Sequence, residues 1–253
     1  MKILVAIKQV PERDAHIVVD GAGIDDRDLA WTINEPDAYA LEEALQLKEK
    51  NGGEVVVLSA GPERAASTLR EALAKGADRA IHILAEDIAS RDVLSVARLL
   101  RDAIRGEAPN LILTGLQSDD LGLGQTGVVL AELLGIPHAA IVLQAELIAP
   151  GRIKVKRELE DGWFQHVEMP LPALLTVQSG GNKLRYATLM GIKKAKSKET
   201  RTVEAAGSNV PPANEVVRVY VPAKQKRTEL LQGTTAEIAA KLTEILRFEV
   251  RVL

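Results

Sequence analysis

The chain reads as an α/β protein: a mostly parallel sheet with helices on both faces, an antiparallel extension, and a C-terminal arm ending in a helix. Three observations predict this. Short apolar runs alternate with helical stretches to about residue 135. Four strand patterns joined by tight turns follow. A polar, proline-containing stretch then leads to one last helical pattern.

The first strand is "ILVAI" (Ile3–Ile7), a continuous apolar run of the kind that is buried on both faces. After a variable polar connection comes the helix of "INEPDAYALEEALQLKEKNGG". Asn34 stands at its cap with Asp37 three residues on and Pro36 in the first turn. Ala38, Leu41, Ala44, Leu45 and Leu47 form its inner face, and Gly52–Gly53 stops it. "EVVVLSAG" is the next strand and "ERAASTLREALAKGA" a helix ending at Gly76. "RAIHIL" is a strand, and "SRDVLSVARLLRDAI" a helix capped by Ser90. "NLILTG" is a strand, and "QTGVVLAELLGIP" a helix closed by Gly135 and Pro137. "HAAIVLQAEL", "RIKVKREL", "WFQHVEM" and "ALLTVQ" then read together as the antiparallel extension, with turns at Pro150–Gly151 and Asp161–Gly162. In the tail "TTAEIAAKLTEILRF", Thr234 and Glu237 have capping-box spacing. The expected division is residues 1–196 as a nucleotide-binding α/β domain and residues 197–253 as an extended arm with its helix. The prolines of the arm, Pro211, Pro212 and Pro222, suit a segment that wraps its domain or reaches a partner.

Composition removes several classes. Of 253 residues 46% are hydrophobic, enough for a full core, and the net charge of −3 gives no global attraction to nucleic acid. With no cysteine, disulfides, thiol catalysis and cysteine-bound clusters are excluded. His16, His82, His138 and His166 lack metal-ligand spacing. "MKILVAIKQV" reads as a strand rather than a signal peptide, and no segment has the apolar length of a membrane span, so the expected location is cytoplasmic.

The most informative loop is "TGLQSDDLGLGQTG" (Thr114–Gly127). It leaves the carboxyl end of a strand and enters a helix, where open α/β sheets bind ligands. Gly122, Gly124 and Gly127 allow close backbone approach. The amides of Gln125, Thr126 and Gly127 would favour an anion at the helix N-terminus, and the Thr126 hydroxyl could add a contact. The pattern fits a phosphate-binding loop but not a Walker A loop, since GK[ST] is absent. A plain strand–helix turn is the alternative. Asp119 and Asp120 make a weak metal pair, better read as a solvated turn. "QSGGNK" begins like an ATP-pyrophosphatase loop, but it follows a late strand and has Lys183 where an aspartate belongs. No catalytic constellation emerges. The carboxylates of "ALEEALQLKEK" read as solvated helix faces.

"RYATLMGIKKAKSKE" (Arg185–Glu199) sets Leu189, Met190 and Ile192 beside Lys193, Lys194, Lys196 and Lys198. Burial would bury a lysine cluster, and exposure would leave leucine and methionine in water.

"VKRELEDGWFQHVEMPLPALLTV" (Val155–Val177) closely resembles the signature region of the electron transfer flavoprotein β subunit. "LVAIKQV", "ALEEALQLKEK", "SAGP", "AKGADRAIHI" and "RYATLMGIKKAK" fall in that family's order, so the resemblance covers roughly residues 1–250. It implies a fold of the adenine nucleotide hydrolase-like type and a heterodimer with an α subunit that holds most of one redox FAD. The chain would carry electrons rather than catalyse a reaction. It would take them from flavoprotein dehydrogenases, acyl-CoA dehydrogenases being usual, and pass them to a quinone oxidoreductase. AMP would be a structural ligand. Ala6, Asn34, Gln125 and Thr126 match AMP-contacting positions, to which the loop adds Gln117, Gly124 and Gly127. Glu158 matches a glutamate that pairs with an α-subunit arginine. Residues 183–196 match the recognition loop, with Leu189 as anchor, Tyr186, Met190 and Ile192 beside it, and Lys193, Lys194 and Lys196 as a cationic collar.

The sequence departs from the family in three places. Leu121–Gly122–Leu123–Gly124 replaces most of an acidic run. Arg13 stands where an aromatic residue is frequent, and "GIK" replaces "PNI" after Met190. Thr126 favours AMP, because electron-bifurcating members, which hold a second FAD there and accept from NADH, usually carry valine. The altered loop keeps that second FAD open. A stand-alone adenine-nucleotide sensor is the reading from another class, but it would need neither the arm nor the lysine collar.

Overall fold

The apolar runs become the middle of one nine-stranded sheet in a computed structural model that describes residues 1–21, 23–205, 212–223 and 228–252. Its elements run β1 (Lys2–Ala6), β2 (Gln9–Pro11), β3 (Val18–Asp20), β4 (Gly23–Asp25), β5 (Trp31–Ile33), α1 (Glu35–Asn51), β6 (Glu54–Gly61), α2 (Ala66–Lys75), β7 (Arg79–Leu84), α3 (Val93–Arg105), β8 (Leu111–Gly115), α4 (Thr126–Leu134), β9 (His138–Ala149), β10 (Arg152–Glu158), β11 (Phe164–Pro170), β12 (Ala173–Val177), α5 (Leu189–Ala195), β13 (Thr200–Glu204) and α6 (Thr235–Glu244). The large sheet has the order β11-β10-β9-β12-β8-β1-β6-β7-β13. The polar connection after β1 contains two small antiparallel pairs, β2 with β5 and β3 with β4.

From β1 the chain steps through α1, β6, α2 and β7 to one side of the sheet. It then returns by α3 to β8, which lies on the other side of β1. The direction of winding reverses between β1 and β8, and their carboxyl ends open a crevice. Alternate residues of the central strands feed two cores. Ile3, Val5 and Val57 pack with Leu41 and Leu45 of α1 and with Leu69 and Leu73 of α2. Leu4, Val56 and Leu58 pack with Leu99 and Leu100 of α3 and with Leu130 of α4.

Three details differ from the sequence reading. β12 is not part of the antiparallel extension. It runs parallel to both β8 and β9 and lies between them. Its five residues are all buried, the state that a continuous apolar run favours. The antiparallel part comprises β9, β10 and β11. Second, α3 is capped by Asp92, which accepts from the Ser95 amide at 2.8 Å, and Ser90 closes the preceding turn instead. Third, β13 pairs in parallel with β7 and completes that edge.

The described chain divides into two units, Met1–Arg218 and Val219–Leu253. Within the second, Thr234 and Glu237 form the expected capping box of α6. Of the arm's prolines, Pro211 lies outside the described residues. Among the described residues no helix is long and apolar enough to cross a membrane.

Candidate functional site: a clamp at the switch point and an exposed apolar segment

At the crevice, Asp37 in the first turn of α1 ties the two diverging strands together. Its Oδ2 accepts from the Lys8 amide just beyond β1, and its Oδ1 accepts from the Gly115 amide at the end of β8, each at 2.7 Å. Burial pushes the Asp37 carboxyl up to about 6, against these hydrogen bonds and the Lys8 charge. Gly115 has to be glycine here. A Cβ would lie 2.7 Å from Pro36 Cβ and 2.8 Å from the Asp37 nitrogen.

Asn34 occupies the cap position of α1, but its side chain makes no cap bond. Buried, it crosses to the β8–α4 loop. Its Nδ2 donates to the Gln117 carbonyl at 2.9 Å, and its Oδ1 accepts from the Asp119 amide at 2.9 Å. The first-turn amide of Glu35 is taken instead by Asp119 Oδ2 at 3.2 Å. Lys8 Nζ reaches over the same loop to Asp120 at 2.6 Å. Burial pushes the Asp120 carboxyl up, and the Lys8 charge and hydrogen bond outweigh it, leaving it below the usual carboxylate range. Both aspartates of the loop therefore hold it in place. Arg13 pairs with Glu35 at 2.5 Å on the same rim.

Past Asp120 the loop turns through Gly122 (φ 62°) and Gly124 (φ 64°), the left-handed region that glycine adopts freely. It enters α4 with Gln125 at the cap, Thr126 as first residue and no acidic side chain in the first turn. Gly127 lets that turn sit on the sheet, since a Cβ would lie 2.5 Å from Thr176 Cγ2 and 2.6 Å from Thr114 Oγ1. The first-turn amides of a helix lack intrahelical acceptors, and the first turn of α4 has no carboxylate of its own to take them. Of the predicted residues, Ala6 ends β1, Asn34 stands at the cap of α1, Gln117, Gly124 and Gln125 lie on the β8–α4 loop, and Thr126 and Gly127 open α4, all at the carboxyl ends of the strands. Sequence reasoning missed Lys8 and the bridging role of Asp37. An aspartate in a first helical turn ordinarily signals only the helix dipole. Glu158 is elsewhere, half-buried at the end of β10 opposite Phe164 and separated from β1 by β9, β12 and β8.

The second candidate region is the segment around α5. Thr188 caps that helix, accepting from the Gly191 amide at 3.0 Å. Tyr186 is 90% exposed, Leu189 82% and Met190 64%, with Ile192 also exposed, while Ala195 is buried behind them. The apolar side chains face solvent, and Lys193, Lys194 and Lys196 stand exposed next to them.

This segment is held from below by α1, and here one expectation fails. Glu42 and Glu43 do not lie on a solvated face; they are 4% and 5% exposed. Glu42 receives Arg185, with Nε at 2.8 Å and Nη2 at 3.0 Å. Burial pushes the Glu42 carboxyl up, and hydrogen bonds from Arg185 and Gln46 outweigh it, leaving it lowered. Glu43 accepts from the Ala145 amide and from Asn182 Nδ2, each at 2.6 Å, yet burial still leaves its carboxyl raised. Apart from Gln46, one turn on in the same helix, their partners lie more than 100 residues away in sequence, so local charge pattern carries no sign of them.

Comparison with known proteins gives one consistent result. The family model described as "Electron transfer flavoprotein domain" matches residues 22–208. The electron transfer flavoprotein subunit beta of Methylophilus methylotrophus is 41% identical, covering 97% of this chain and 98% of its own. That of Bacillus subtilis is 35% identical over the full length of both chains. The mitochondrial subunit beta of japonica rice is 37% identical, again over both full lengths.

Proposed function

Because the chain belongs to the electron transfer flavoprotein family as a β subunit, we propose that with its α subunit it shuttles electrons from flavoprotein dehydrogenases to a quinone oxidoreductase. The α subunit would hold most of the redox FAD, the β subunit would bind AMP structurally, and the pair would work in the cytoplasm. Acyl-CoA dehydrogenases are the donors proposed. FAD, when bound, supplies the one- and two-electron chemistry; no side chain of this subunit takes part in a bond-making step.

The observation that carries the nucleotide reading is the clamp between β1 and β8. Asn34 and Asp37 fix the mouth through main-chain groups of both flanking segments. The α4 first turn offers amide donors, the Thr126 hydroxyl and the Gln125 side chain, a donor set suited to a phosphate. One feature favours a second reading, an electron-bifurcating subunit with FAD in the clamp and NADH as donor. Leu121 and Leu123 are exposed on the loop, apolar surface that a larger ligand could cover.

The test is to co-express the chain with its α subunit, denature the purified complex and quantify the nucleotides released. One FAD with one AMP supports the shuttle, and two FAD support the bifurcating reading. A complex with one FAD and no second nucleotide refutes the clamp assignment. For the docking segment, Leu189→Ala is expected to raise KM for a reduced acyl-CoA dehydrogenase by roughly tenfold or more, as loss of a central apolar anchor does. FAD content should be unchanged, since Leu189 touches neither the clamp nor the core.

A further inference from the structure

We propose that Arg185 is a positioning residue for electron transfer, forking between Glu42 and Glu49 of α1 to fix the docking face of Tyr186, Leu189 and Met190. The inference rests on the reading, given above, that this face receives the electron donor.

Residues 178–188, between β12 and α5, contain neither helix nor strand. No ladder of main-chain bonds sets their course, so it has to come from anchors. Upstream, Gly181 lies directly against the Leu143 carbonyl, where a Cβ would not fit, and Asn182 is bonded to Glu43. Downstream, Gly191 lies against the Ala74 carbonyl of α2, and Lys198 Nζ donates to the carbonyls of Leu73 and Ala77. Between these anchors, Arg185 attaches the chain leading into α5, next to Tyr186 and shortly before Leu189.

That attachment has a fixed direction. Nε and Nη2 of Arg185 bind Glu42, Nη1 binds Glu49 Oε1 at 2.6 Å, and the Arg185 amide also reaches Glu42 Oε2 at 3.3 Å. A planar guanidinium held by two carboxylates is set in orientation as well as in place. Glu42 is buried, so leaving it unpaired would be costly, which holds Arg185 to it. Tyr186 is the next residue, and Leu189 follows four positions after Arg185. An apolar anchor on a loose tether loses affinity to the entropy of ordering the tether, whereas a pinned one does not. Nothing in the packing of Leu189 itself requires the Arg185 fork; the residue is almost wholly in solvent.

The experiment uses the FAD-loaded αβ complex, with a substrate-reduced acyl-CoA dehydrogenase as donor. Arg185→Met leaves Glu42 without its cationic partner and endangers folding, so it is paired with Glu42→Met, an apolar replacement of the ion pair. Glu42→Met/Arg185→Met is expected to raise KM for the donor about tenfold with kcat within about twofold, because docking geometry rather than flavin chemistry is altered. Arg185→Lys keeps the charge but cannot fork, and should raise KM about threefold. Adding Leu189→Ala to the double variant should raise KM by less than about twofold more, since the anchor is already misplaced. If Leu189→Ala alone raises KM but the Arg185 variants do not, or if the effects multiply independently, the positioning role is overturned while the docking reading stands. If Leu189→Ala alone has no effect, the docking reading fails and the positioning role goes with it.

Discussion

At the N-terminal end of α1 a buried carboxylate, Asp37, accepts from two main-chain amides; further along the same helix Glu42 and Glu49 accept from one guanidinium. The first arrangement forms a clamp, the second a platform. In the clamp nearly every partner is backbone or buried, so its shape is bound up with the strand ends that carry it. On the platform the main holding partner is a side chain, the Arg185 guanidinium, and the working residues are exposed. The clamp should therefore respond to substitution through stability and nucleotide content together. The platform should respond through docking, with both left intact.

The sharpest way to break this contrast is Gly115→Ala. Its Cβ would meet Pro36 at 2.7 Å and the Asp37 nitrogen at 2.8 Å, forcing α1 away from β8. We expect a loss of about 3 kcal/mol of stability, at the upper end of overpacking costs, with loss of the nucleotide proposed for the clamp. Thermal unfolding and nucleotide stoichiometry would show it. A variant that keeps both would mean that the clamp yields easily.

Asp37→Asn tests the buried carboxylate by pH. Burial raises the native carboxyl to about 6 from an ordinary 3.8. Between those values the native chain retains a proton that the unfolded chain has released. The contribution of this group to stability is thus full below the lower value, falls as pH rises through the window, and is level above about 6. The span corresponds to about 3 kcal/mol, a slope that the asparagine variant lacks. Thermal midpoints of the two heterodimers measured across the window should converge at its acidic end. Parallel curves would contradict a perturbed Asp37.

The smallest effect is expected on the platform rim. Lys193, Lys194 and Lys196 are exposed, so exchanging all three for Gln should slow donor association only several-fold and flatten its salt dependence. Stopped-flow traces at low and high salt would measure this. An unchanged salt slope would remove the collar from the docking account.

The same contrast shows what the sequence could reveal. Elements whose residues carry their own signals were legible: the apolar run of β1, the Thr234–Glu237 box of α6, the glycine turns leading into α4. The position of β12 was not, because a run of five buried residues says that a strand is central without naming its neighbours. Glu42 and Glu43 were misread for a related reason. Their burial is balanced by Arg185 and Asn182, and nothing near α1 in sequence announces those partners. Asn34 stood at a helix cap, as expected, yet a neighbouring loop rather than the helix uses its side chain.

Clamp and platform share one helix, and that makes α1 intolerant of changes in length. Asp37 and Glu42 are five positions apart, the first facing Lys8 and Gly115 and the second facing Arg185. Each residue of an α-helix turns by about 100° and rises about 1.5 Å. A single insertion between the two would swing Glu42, Glu43 and Glu49 off their partners while Asn34 and Asp37 stayed put. The exposed β3–β4 hairpin has no such phase to keep. Length variation in this subunit should accumulate there, and α1 should keep its residue count even where most of its side chains change.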